Sequence, residues 1–168
     1  MSAKAPWWER IHLIGDEPVY RKFWAGIRSG LAAFFLSNLC AWVIEDILHQ
    51  ELPVILNPQE MTLLELISLT LILAPLIEEM LFRALPLTLP LLFQKGPKSK
   101  MILWGIAIIS SVVFGYAHGS IWNIFVQGIS GLIYAACYIR HGILASITAH
   151  ATKNGVILAI ILLQWLIF

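Results

Sequence analysis

Long apolar runs constrain this chain more than any other feature. "MILWGIAIISSVVFGYA", Met101 to Ala117, and "GILASITAHATKNGVILAIILLQWLIF", Gly142 to Phe168, approach or exceed the ~20 apolar residues that cross a hydrocarbon core as a helix. Backbone polar groups find no water partners there, so a helix that bonds internally is the economical solution. Composition agrees: hydrophobic residues are 59% of the chain and charged residues 12%, where soluble domains carry about a quarter charged. Mean hydropathy is +0.80. The expected fold is all-α, a polytopic helical membrane protein with about five to six transmembrane helices.

The first expected span covers Gly30 to Leu48 and follows a polar segment, residues 1–29. That segment is too long and too tryptophan-rich for the leader of a cleaved signal peptide. Its "WWERIHLIGDEPVYRKFW" mixes Trp7, Trp8, Phe23 and Trp24 with charges, which suits a helix at the lipid-water boundary. Residues 30–168 then form the helical membrane domain. The second span is expected to open at "NPQE", with Asn57 as cap, Pro58 in the first turn and Glu60 closing a capping box. Pro86, Pro90 and then "QKGPKSK" are expected to end it, with residues 84–93 a short lateral helix or a kinked continuation. Three more apolar helices are read at 101–117, 121–139 and 142–168. Cys40 and Cys137 sit in apolar runs without metal-ligand spacing and read as small hydrophobes.

Lysine and arginine placement sets the expected orientation, because cytoplasmic loops retain these residues. Lys4, Arg10, Arg21, Lys22 and Arg28 precede the first span, Lys95, Lys98 and Lys100 follow the second, and Arg140 follows the fourth. The intervening loop instead carries Glu45, Asp46, Glu51 and Glu60. A cytoplasmic N-terminus results. The net charge of +1 and the lack of a long basic run give no sign of a nucleic-acid partner.

Against this background "LAPLIEEMLFRALP", Leu73 to Pro86, is costly. Three lipid-facing, unpaired charges would cost on the order of 7 to 10 kcal/mol. They therefore point to a polar site enclosed by the helices. Glu79 and Arg83 are four apart in the favourable ion-pair order, while Glu78 lies about 100° around the helix. Arg83 can hold Glu79 and leave Glu78 free as a general base. Pro75 adds a kink and releases a backbone carbonyl one turn earlier. The plain alternative is that Arg83 snorkels to the cytoplasmic edge with the glutamates beside it.

Two further polar intrusions join them. "FGYAH" sets Phe114 and His118 on one helical face, and "HATKN" does the same for His150 and Asn154. Singly, each histidine reads as a hydrogen-bonded core residue. Together with the glutamates they supply a base, a second proton-handling group and oxyanion donors, the parts needed to add water to an amide. His12, His49 and His141 lie in loops or at a helix boundary. "GIRSG" and "GYAHG" are GxxxG patterns that read first as helix packing. Lys153, one residue before Asn154, points off the motif face, where it contacts a substrate carboxylate, snorkels or pairs with an acid.

EExxxR, FxxxH and HxxxN, in this order on successive apolar helices, resemble the CAAX protease and bacteriocin-processing (CPBP/Abi) family, intramembrane glutamate proteases related to CAAX prenyl protease 2. The resemblance covers about Thr62 to Gly155. It implies that Glu78 activates the attacking water with help from His150, and that His118 and Asn154 stabilise the tetrahedral oxyanion. Glu79 and Arg83 would be the supporting pair, with Phe114 shaping the cavity wall. The implied activity is that of an intramembrane endopeptidase acting on a membrane-associated protein or peptide, prenylated substrates included, with no cofactor.

Family members with about eight spans have more helices than this chain has room for, so self-association is one way to complete the enclosure. The short chain suggests a prokaryotic cell membrane. Depth poses a second difficulty. At about 1.5 Å per residue His150 lies roughly 12 Å inside its helix, whereas a simple crossing puts His118 at the opposite end of a span from Glu78. A turn at "HGSI" that dips into the bilayer, with Gly115 and Gly119 permitting close approach, would resolve the conflict. Three rivals stay open: a zinc-dependent protease ligated by His118, His150 and a glutamate, although HExxH is absent; a proton conduit through Glu78, Glu79 and His150; and a non-catalytic immunity or scaffold protein.

Overall fold

The computed structural model describes residues 17–53, 61–92 and 97–167, and every regular element among them is helical. Helix α1, Val19–Trp42, continues as a π-helical turn over Val43–Ile47. The next helical path runs unbroken over residues 63–92: α2 (Leu63–Ile67), a π segment (Ser68–Leu73), α3 (Ala74–Glu79), a second π segment (Met80–Ala84) and α4 (Leu85–Leu92). Helices α5 (Pro97–Tyr116), α6 (Asn123–His141) and α7 (Ile143–Ile167) complete the molecule.

Several boundaries differ from expectation for identifiable reasons. The capping box is built by Thr62 and Glu65, whose side chains bond each other's backbone N–H groups reciprocally; Asn57 to Glu60, where the cap was expected, lie outside the described residues. Pro86 does not end the second helix. It sits in the first turn of α4, just after the second π segment, and the path continues to Leu92. The interfacial reading of Trp7 and Trp8 also falls outside the described residues, while residues 19–29 run without a break into the rest of α1.

The helices pack polar side inward. Helix α1 lies against α6 and α7, α5 against α6, and the 63–92 path against α5 and α7. Gly26 and Gly30 permit close α1–α7 approach: a Cβ on Gly26 would stand 2.7 Å from the Ala145 carbonyl oxygen, and one on Gly30 would strike that of Ala149. The first GxxxG thus serves helix packing. Small apolar clusters hold the rest, Leu87, Leu91, Leu103 and Tyr138 on one side and Ala33, Tyr134, Cys137 and Ala149 on the other. Cys40 and Cys137 are both free thiols. Meanwhile Phe35, Leu64, Ile72, Ile109 and Leu166 face outward, and Glu79, Arg83, Ser146, His150 and Lys153 are buried. That inversion of the soluble pattern suits a hydrocarbon surround. Of the expected crossings, Val19–Ile47 and Ile143–Ile167 have the length and apolarity of a span, and Lys100–Tyr116 is apolar but shorter.

Candidate active site

The site begins with two defects in the 63–92 path. In the first π segment the Ala74 N–H bonds the Leu69 carbonyl, five residues back. In that register the Thr70 carbonyl would need the N–H of residue 75, which is proline and has none. Asn154 Nδ2 takes the vacancy at 2.9 Å. A carbonyl only accepts, so the contact fixes which way the Asn154 amide faces. Pro86 acts in the α register instead: it has no N–H for the Phe82 carbonyl four residues back, and the hydroxyl of Ser110 donates there. The carbonyl released by proline, anticipated from Pro75, thus has a specific donor on α7. Wide turns of this kind recur at functional sites.

Helix α3 then presents Glu78 and Glu79 in different directions. Glu79 is fully buried and has three partners: Arg83 Nε at 3.4 Å, His150 Nδ1 at 3.0 Å, and the hydroxyl of Ser146. Glu78 is half-buried, and its Oε2 stands 3.7 Å from His150 Nε2 with no hydrogen-bond partner of its own. His150 therefore lies between the two carboxylates, its Nδ1–H side anchored to Glu79 and its Nε2 side toward Glu78. Tyr134 stacks on the imidazole, centroids 4.8 Å apart and planes 20° apart.

Arg83 is buried without a hydrogen bond from any of its nitrogens. Its charge meets Glu79 and a wall of aromatic faces, with Cζ 4.3 Å from the Phe114 centroid, 5.5 Å from Tyr134 and 6.0 Å from Phe82. Phe114 is not among the residues that line the cavity beside Glu78, but it holds His118 through its backbone: His118 Nδ1 lies 2.7 Å from the Phe114 carbonyl oxygen. The carbonyl accepts, so Nδ1 carries the proton and Nε2 is left for other partners. Asn123 Nδ2 donates to the His118 carbonyl at 2.6 Å and pins the 117–122 turn. Gly115 permits this geometry, because a Cβ there would stand 2.7 Å from the Asn123 carbonyl oxygen at the α5–α6 crossing.

Glu78, His118, His150 and Asn154 line one cavity of ≈ 330 Å³. The separation that simple crossings imply for His118 and Glu78 does not arise. The cavity's floor continues over apolar Leu66, Ile157 and Ile161. A roomier surface groove beside Met61, Leu64 and Glu65 offers no comparable chemistry, as Glu65 is committed to the Thr62 cap. Among the described residues, no group of three or more His, Cys, Asp and Glu is arranged to hold a metal ion.

A family model described as type II CAAX prenyl endopeptidase Rce1-like matches residues 60–156, more than half of the chain and all three polar motifs. The chain belongs to this family. Membership in the Rce1-like family makes it a membrane-embedded CAAX-type protease in its general class. No curated protein and no solved structure matches the chain.

Some participants escaped the motif reading of this Rce1-like chain. Ser146 precedes His150 by one further turn of α7, so Ser146, His150 and Asn154 repeat every four residues, a periodicity open to inspection. Gln127, Ser130 and Tyr134 likewise fall along one stripe of α6. The role of Thr70 lies in its carbonyl, which no side-chain pattern reveals.

Proposed function

We propose that this Rce1-like chain hydrolyses a peptide bond of a membrane-associated protein or peptide with a water activated by Glu78. The observation that carries this reading is the convergence of Glu78 from α3, His118 from the turn after α5, and His150 and Asn154 from α7 on one cavity. Glu78 accepts a proton from water as the water oxygen bonds the scissile carbonyl carbon. Asn154 has one N–H tied to Thr70 and a second free to donate to the developing oxyanion, with His118 opposite. Collapse of the tetrahedral centre breaks the C–N bond, and the proton passes from Glu78, through His150 where needed, to the leaving amine. Glu79, Ser146 and Arg83 hold the His150 ring in place.

One observation bears on the role of His118, whose ring, like that of His150, has its Nδ1 committed to a fixed acceptor. With Nδ1–H committed to the Phe114 carbonyl, neutral His118 offers Nε2 as an acceptor, which suits orienting water better than donating to an oxyanion. Glutamine separates the two arrangements because it donates hydrogen bonds but takes up no proton. If His118 is the donor, His118→Gln keeps appreciable activity and His150→Gln does not; the reverse result assigns water activation to His118.

The decisive test compares peptides released from membranes carrying the native chain with those from the Glu78→Gln form. The variant keeps the shape and removes the base, so a loss of about 10²-fold or more is expected. Equal release by both rejects the assignment. Activity abolished by chelation and restored by zinc would move the proposal to the zinc-dependent protease, and proton flux into liposomes without cleavage to the conduit. A cellular effect that survives Glu78→Gln points to the scaffold or immunity reading. We further propose multiple crossings with the N-terminus in the cytoplasm, and self-association as a means of enclosing the cavity.

A further inference from the structure

Lys153 is a buried charge that the proposed hydrolysis does not use. It is 2% exposed, and a lysine at bilayer depth costs about 2.5 to 3.5 kcal/mol unless it is well accommodated. Both of its acceptors are neutral: Gln127 Oε1 at 2.7 Å and Ser130 Oγ at 2.8 Å, both on α6. Ser130 spends its own proton on the Val126 carbonyl, so its oxygen is free to receive the lysine. Lys153 does not snorkel, and it is turned away from His150 and Asn154 toward α6.

The consequence lies at Gln127. An ammonium group only donates, so the amide oxygen of Gln127 must face Lys153 and the amide nitrogen must face away. Gln127 lines the same cavity as Glu78, His118 and Asn154. No partner for Gln127 Nε2 is found among the described residues. A cavity-lining side chain, held through its oxygen, thereby keeps two N–H groups available to donate.

We propose that Gln127 is a substrate-binding residue that donates to a backbone carbonyl of the peptide flanking the scissile bond, and that Lys153 is the positioning residue that sets its amide. This rests on the peptidase reading. The chemistry is generic to peptides, since a main-chain carbonyl is the acceptor that any extended substrate repeats along its length. Fixing the donor in advance removes a rotamer and an amide flip that would otherwise be ordered on binding.

The test uses the full chain in liposomes and a quenched fluorogenic peptide spanning a cleavage site found by comparing native and Glu78→Gln membranes. Gln127→Glu keeps the acceptor for Lys153 but removes the donor, and Gln127→Met removes both. Both variants should lose about tenfold in kcat/KM, chiefly through KM. Lys153→Met should cause a similar loss in the native background and little further loss beside Gln127→Met. Circular dichroism and melting in detergent confirm folding for each. If Gln127 merely braces Lys153, Gln127→Glu stays fully active while Gln127→Met falls, and the proposal is overturned. It is also overturned if both variants keep native kcat/KM, or if the double variant shows simply multiplied losses. A Glu78→Gln form as active as native removes the peptidase reading and this inference together; an inactive Glu78→Gln form beside a fully active Gln127→Glu form removes this inference alone.

Discussion

At the residue scale, Arg83 shows how a full charge is kept in a nearly dry interior. Glu79 lies too far for a short hydrogen bond, and the faces of Phe114, Tyr134 and Phe82 supply the remaining attraction. The guanidinium fits only because residue 131 has no side chain: a Cβ there would stand 2.6 Å from Arg83 Nη2 and 2.9 Å from Phe114 Cδ1. Gly131→Ala is therefore expected to lower stability by about 1–3 kcal/mol and to depress cleavage with it. Gly105 gives the matched control, since a Cβ there meets nothing within 4 Å, and Gly105→Ala should stabilise by about 0.5–1 kcal/mol through helix propensity. Melting of both variants in one detergent checks the pair. The three motif pairs were legible in sequence because residues four apart share a helical face. The stack of Tyr134 on His150 was not, because it joins α6 to α7 and no spacing within one helix encodes it.

At the element scale, the 63–92 path depends on its prolines. Pro75→Ala restores an N–H that can reach the Thr70 carbonyl in the π register or Leu71 in the α register. It is expected to leave the helix at least as stable, to compete with Asn154 for its anchor, and to lower kcat/KM by roughly five- to tenfold, in line with one lost hydrogen bond. A variant both stable and fully active would show that Asn154 needs no such anchor. A second element-scale tie joins the start of α1 to the end of α6, where Glu17 Oε2 and His141 Nδ1 are 2.8 Å apart. The hydrogen bond from His141 holds the Glu17 carboxyl below its usual range. A lowered carboxylate pKa stabilises the fold above the unfolded value, about 4.3 for glutamate, and that contribution is lost as pH falls through the folded value. Native protein should thus melt above Glu17→Gln near pH 6, and the difference should vanish toward pH 3. A constant difference across that range would assign the effect to packing.

At the scale of the whole molecule, the outward Leu, Ile and Phe and the inward Glu, Arg, His and Lys belong to a protein whose solvent is lipid. The proposed orientation makes a labelling prediction. In a chain with Cys40 and Cys137 replaced by alanine, an impermeant maleimide should reach Glu51→Cys in intact cells and Lys98→Cys only after lysis. Labelling of both from the same side rejects the alternating arrangement, whatever the chemistry of the cavity. The capping box of Thr62 with Glu65 at the start of α2 is a feature that local propensity alone ranks poorly.

Sequence by itself determined that this chain is helical, apolar outside and in possession of a glutamate pair, two histidines and an asparagine at helical spacing, because periodicity and the cost of charge in lipid are local quantities. Tertiary structure alone decided that His118 reaches the cavity of Glu78, that His150 stands between two carboxylates, and that Asn154 and Gln127 are aimed by Thr70 and Lys153. Those relations depend on how separate helices cross and on which carbonyl a proline leaves unpaired. Such geometry arises only when the whole chain has packed.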